Sequence, residues 1–119
     1  MRSASHPAGL RRLDTRALTG LDPERQLVDA HGAPYFAASH IPGAVNLPPH
    51  EVRRLAPREL RDKAIPIVVY GAPGSSNAAV VAEQLVELGY RDVSLYEDGL
   101  EGWIAAGLPV EGDPGDGGD

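Results

Sequence analysis

The chain has 119 residues, 42% hydrophobic and 24% charged, with a net charge of −6. That is enough for one domain with its own core, and the acidic balance argues against nucleic acid or anionic membrane as a partner. There is no cysteine, so disulfides, thiolate catalysis and cysteine-ligated metals are excluded. No apolar run approaches the roughly 18 residues of a membrane span. The start Met1-Arg2-Ser3-Ala4-Ser5-His6-Pro7 lacks the apolar centre of a secretory signal, which makes the cytoplasm the expected location.

Residues 1–9 are small and polar and read as a disordered lead-in to a domain spanning 10–110. Residues 10–13 form a short first strand, and Asp14 caps a helix reaching Leu18, closed by Gly20. Arg11, Arg12 and Arg16 are read as a solvated face beside compensating acids. After a turn at 21–24, residues 26–30 make a buried strand carrying Asp29 near its end. Pro34 opens a short helix that His40-Ile41-Pro42-Gly43 breaks, and 44–47 is the next strand, stopped by Pro48-Pro49. A helical pattern from His50 to Arg61 is interrupted at Pro57.

Residues 65–70 form a continuous apolar run, the pattern of a central strand buried on both faces. It stops at Gly71. The loop Gly71-Ala72-Pro73-Gly74-Ser75-Ser76-Asn77 leads into a helix reaching Leu88, with Val81, Ala82, Leu85 and Leu88 on one stripe and Gly89 at its C-terminal end. A last strand, 93–96, and a short helix, 99–106, carrying Trp103 complete the domain, while 111–119 reads as a disordered acidic tail. Strands alternating with helices imply an α/β fold: a doubly wound, mainly parallel five-stranded sheet with helices on both faces. Ligands of such sheets sit at the carboxyl ends of the strands, where Asp29, His31, Gly71 to Ser76 and Glu97 fall.

A strand, a glycine loop and a helix N-terminus in this order can hold an anion on backbone N–H groups. Gly71, Ala72, Gly74, Ser75, Ser76 and Asn77 are the candidate binding residues, with Ser75, Ser76 and Asn77 able to cap the helix. An inherited, capped turn with no ligand accounts for the same residues equally well. Pro73 supplies no N–H, and the loop contains no lysine, arginine or histidine. Neither Ser75 nor Ser76 has a base within the loop to make it a nucleophile, and no Gly-x-Ser-x-Gly elbow is present. Asp29, His31 and His40 are supporting residues: Asp29 is expected to accept N–H groups of the following turn, and His40 to bond structurally. The four histidines lack metal-ligand spacing, so neither metal nor cofactor is expected.

The order of Leu27-Val28-Asp29-Ala30, Phe36-Ala37-Ala38-Ser39-His40-Ile41-Pro42-Gly43-Ala44-Val45-Asn46-Leu47, Val68-Val69-Tyr70 with its loop, Leu88-Gly89-Tyr90 and Asp98-Gly99-Leu100-Glu101-Gly102-Trp103 resembles the rhodanese homology domain of single-domain sulfurtransferases. The resemblance covers about residues 10–111. It implies a nucleophilic cysteine directly after the central strand, which takes up a sulfane sulfur as a persulfide. Gly71 stands at that position, and the late-loop cysteine of some relatives falls nearest Ser75 and Ser76. The family's loop-end cation has no counterpart at Ser76 or Asn77, and its arginine and glutamate flanking the next helix are matched by His31 and Tyr35.

The resulting expectation is a rhodanese-like domain without sulfurtransferase activity, serving as a non-catalytic binding or regulatory module. Its partner is an unidentified protein or a small anion such as sulfate, phosphate or thiosulfate. The alternative is a sulfurtransferase whose loop cysteine was replaced at Gly71 or Ser76 by divergence or engineering.

Overall fold

The computed structural model describes residues 10–20, 24–73 and 76–112; the lead-in 1–9, most of the 21–24 turn, Gly74, Ser75 and the tail from 113 lie outside them. Five strands form one sheet: β1 (Arg11–Leu13), β2 (Gln26–Asp29), β3 (Val45–Asn46), β4 (Ile67–Tyr70) and β5 (Val93–Tyr96). Their spatial order is β1-β5-β4-β2-β3 and every pairing is parallel. The helices are α1 (Thr15–Thr19), α2 (Ala33–Ala38), α3 (Val52–Glu59), α4 (Asn77–Glu87) and α5 (Gly99–Ala105). This is the doubly wound α/β architecture expected from the sequence.

The alternation of β4 divides the core. Ile67 and Val69 face a cluster with Val52 and Ala56 of α3 and Val81, Ala82 and Leu85 of α4. Val68 and Tyr70 face the opposite cluster, with Leu18 of α1 and Trp103 of α5. All four β4 side chains are essentially inaccessible to water, each burial contributing about 1.5–3 kcal/mol. The side chains of β2 and β5 repeat the division, which places their carboxyl ends beside Gly71.

The helix ends follow local chemistry. Asp14 accepts the Ala17 N–H at 2.8 Å, capping α1 as expected. After α4, Gly89 adopts φ +98°, Gly89 N–H bonds Val86 O at 3.0 Å and Tyr90 N–H bonds Leu85 O at 3.1 Å, a Schellman closure.

Two boundaries differ from the expectation. Helix α3 runs through Pro57 instead of breaking there; the proline removes one bond, that of its own N–H to the Arg53 carbonyl in the first turn, and the helix closes beyond it with the Leu60 N–H on Ala56 O at 2.7 Å. Pairing also extends past the expected boundary at 110: Glu111 and His40 exchange two backbone hydrogen bonds of 2.8 Å. Short-range patterning carries no signal for a pairing across 71 residues of chain.

The Gly-Leu-Glu-Gly-Trp run of α5 has a steric origin. Gly99 has φ +66°, and a Cβ there would lie 2.2 Å from the Gly71 carbonyl oxygen. Gly102 lies so close to Asp98 that a Cβ would approach the Asp98 Cβ to 2.3 Å. Trp103 then enters the core and donates its Nε1–H to Pro109 O at 2.6 Å. Gly99→Ala is expected to cost more than about 2 kcal/mol, because left-handed strain adds to a backbone clash. Gly43→Ala, at φ +85° with open space around it, should cost about 1–2 kcal/mol from strain alone. Urea denaturation of both variants checks the difference; equal losses would contradict the steric assignment.

Candidate functional site

The site begins where β4 ends. The Gly71 carbonyl accepts the Leu100 N–H at 3.2 Å, which ties the exit of β4 to the start of α5. On its other side Gly71 is open. A Cβ added there would meet the Ala78 Cβ at 3.6 Å, the Ala78 N at 3.7 Å and the Ala30 Cβ at 3.9 Å, all ordinary contacts. The position expected to hold a nucleophile therefore lies against the first turn of α4 and accepts a Cβ without a clash.

Gly71, Ala72 and Ser76 line a cavity of about 280 Å³ together with Arg12, Ala78, Ala79, Leu95, Tyr96 and Glu97. Of the other loop candidates, Asn77 begins α4, and Gly74 and Ser75 lie outside the described residues. The expectation that Ser76 caps the helix with its side chain is not met: it occupies the N-cap position with no side-chain bond. Its φ of −83° and ψ of −5° are already helical, whereas a capping serine takes an extended conformation to turn its oxygen toward the N2 or N3 amide. Its carbonyl accepts the Val80 N–H at 3.0 Å.

Asp29 and His31 form a tight unit at the end of β2. Asp29 is fully buried. Its Oδ1 accepts the His31 backbone N–H at 2.8 Å and lies 2.9 Å from His31 Nδ1, so Nδ1 carries the proton and Nε2 is the free ring nitrogen. Asn46 Nδ2 donates to Asp29 O at 3.1 Å and to His31 O at 2.8 Å, fixing the turn from the neighbouring strand. Tyr70 lies beside this unit, its ring edge-on to His31 at 6.3 Å. Burial, then the Asp29 carboxylate, pushes its phenol far above the usual range. The Tyr70 hydroxyl accepts the Ile41 N–H at 2.9 Å, a link between β4 and the His-Ile-Pro-Gly turn that periodicity does not reveal.

His40 is built into the fold. Its ring stacks on Phe36, Nδ1–H donates to Phe36 O at 2.7 Å, and Nε2 is 3.6 Å from Glu111. None of Asp29, His31 and His40 is among the cavity-lining residues; Asp29 and His31 adjoin the loop through Ala30, whose N–H bonds Tyr70 O at 2.9 Å.

The residue that sequence reasoning missed is Arg12. It reaches the cavity because β1 pairs with β5 in a register that sets Arg12 beside Leu95. Residues level with one another on parallel strands share a face, here the face of α4. Nothing in the sequence names β5 as the neighbour of β1.

A rhodanese-like domain model matches residues 14–106. The chain belongs to the rhodanese-like family. Its relatives include the thiosulfate sulfurtransferase GlpE of Haemophilus influenzae, 38% identical over 85 residues that cover 71% of this chain and 78% of that protein. Among solved structures, a thiosulfate sulfurtransferase from Pseudomonas aeruginosa is similar with a TM-score of 0.76 and 31% identity, over 87% of this chain and 20% of that one. The Alr3790 protein from Anabaena sp. is similar with a TM-score of 0.75 and 28% identity, over 84% of this chain and 80% of that one. No helix among the described residues is long and apolar enough to cross a membrane.

The Asp29–His31 unit makes a pH-dependent prediction. The hydrogen bond to Asp29 raises the His31 pKa above 6.5, against an opposing effect of burial and with a further contribution from the Asp29 charge. Protonated His31 is thus favoured by folding. Its stabilisation is complete below the unfolded value near 6.5 and fades as pH rises through the higher folded value. An NMR titration of the His31 ring should give a midpoint above 6.5, and Asp29→Asn should lower that midpoint. A natural-chain midpoint below 6.5 would contradict the assignment.

Proposed function

We propose that this chain is a binding or regulatory module on a sulfurtransferase scaffold and does not itself transfer sulfur. The observation that carries the reading is Gly71 at the β4 exit in a chain with no cysteine. Sulfane sulfur transfer needs a thiolate to attack the donor and hold the sulfur as a persulfide. A serine hydroxyl at position 76 cannot take that role: it carries no thiolate, and a serine nucleophile needs an adjacent base.

The surroundings of the missing nucleophile support loss of chemistry with retention of fold. Gly71 is held by Leu100, and the space beside it is compatible with a side chain. His31 stands where the family has its arginine and Tyr35 where it has the glutamate; His31 is satisfied by Asp29, so loss of the family's flanking ion pair leaves no orphaned cation there. The candidate occupants of the carboxyl edge are a small anion, such as sulfate, phosphate or thiosulfate, or a segment of a partner protein. The net charge of −6 supports partners other than nucleic acid or membrane.

The test is a thiosulfate-to-cyanide assay on the unsubstituted chain and on Gly71→Cys and Ser76→Cys variants. The unsubstituted chain should match the buffer blank. Gly71→Cys should fold and gain measurable transfer, its thiol acidified below about 8.5 by the α4 N-terminus, and Ser76→Cys should not. Robust transfer by the unsubstituted chain would overturn the reading. Recovery at Ser76→Cys alone would identify the late-loop position as the replaced one.

A further inference from the structure

The cavity at Gly71 extends beyond the loop to the outer strand of the sheet, where a charged pair stands over an apolar wall. Ala78, Ala79 and Leu95 provide that wall, and Arg12 is the one cation among the described lining residues. Its guanidinium Nε lies 3.0 Å from Glu97 Oε2, with the two side chains 66% and 57% exposed.

We propose that Arg12 makes this cavity a site for a small monoanionic organic molecule, a carboxylate or sulfonate on a short apolar body. The inference rests on the binding-module reading and names the ligand class for that site. Three observations on the cavity carry it.

The first is placement. The β1–β5 register sets Arg12 level with Leu95, and Glu97, in the turn that follows β5, meets Arg12 and lines the same cavity. Arg12 and the apolar wall therefore line one concavity, and Arg12 supplies the positive charge that the Gly71 loop lacks.

The second is charge. An ion pair this exposed contributes little to stability and exchanges readily, so a ligand carboxylate or sulfonate can take over the guanidinium. Glu97 remains beside it and brings the local charge back toward zero, which favours one negative charge over two.

The third is size. About 280 Å³ corresponds to roughly nine water molecules, close to the small end of ligand pockets. A bare sulfate leaves Ala78, Ala79 and Leu95 wet. A head group carrying a few methylenes covers them and gains about 0.8 kcal/mol per buried CH₂.

The experiment is an NMR titration of the full chain with sodium 1-butanesulfonate and, separately, sodium sulfate at matched ionic strength. Butanesulfonate should shift the amides of Arg12, Ala72, Ala78 and Leu95 and bind about fivefold or more tightly than sulfate. Arg12→Gln should weaken it by about fivefold or more, and Glu97→Gln should strengthen it. Both substitutions are at exposed positions, and preserved amide dispersion verifies folding. Equal binding of the two anions would overturn the ligand class, and unchanged affinity in folded Arg12→Gln would overturn the role of Arg12. Either result leaves the sulfur-transfer assay unaffected, whereas sulfur transfer by the natural chain would remove the binding-module reading without altering the titration.

Discussion

The geometry of the site depends on one contact between backbones. The Gly71 carbonyl leaves the central strand and accepts the Leu100 N–H, an approach that Gly99 permits because it has no side chain. This holds the start of α5 against the exit of β4. Trp103, one turn further along, then packs below Val68 and Tyr70. The loop edge is thus set by the core, by a glycine remote in sequence and by the Gly71 backbone, not by a side chain at the loop's first position.

That separation explains how the fold and its chemistry can part. Gly71 bears no structural load through a side chain: the space beside it is open at van der Waals distance from Ala30 and Ala78. The interactions that organise the edge lie elsewhere, in the fully buried Asp29 with His31, in Asn46 bridging two carbonyls, and in Tyr70 with Ile41. A cysteine-free chain retains all of them. Asp29 is held through Oδ1 by the His31 backbone N–H and ring, while its buried Oδ2 has no hydrogen-bond partner among the described residues.

Much of this was legible in the sequence because its cause is local or periodic. The apolar run ending at Tyr70, the stripe of Val81, Ala82 and Leu85, Asp14 as a cap and Gly89 as a helix stop each follow from the neighbouring residues. The remaining features depend on long-range placement. Arg12 reads as one of several surface arginines until β1 is paired with β5. Glu111 belongs to an acidic, glycine-rich stretch, yet bonds to His40. Pro57 reads as a break, but the carbonyl it leaves without an N–H is Arg53 in the first turn of α3, and the helix continues to Glu59. Ser76 has the right chemistry for a cap and helical dihedral angles that do not suit one.

The central claim is that this scaffold cannot store a sulfur atom because the β4 exit carries no thiol. Intact-protein mass spectrometry after incubation with excess thiosulfate tests it most directly, with the Gly71→Cys variant treated in parallel. The account predicts no added sulfur on the natural chain and one added sulfur on the variant. A stable one-sulfur adduct on the natural chain would contradict it.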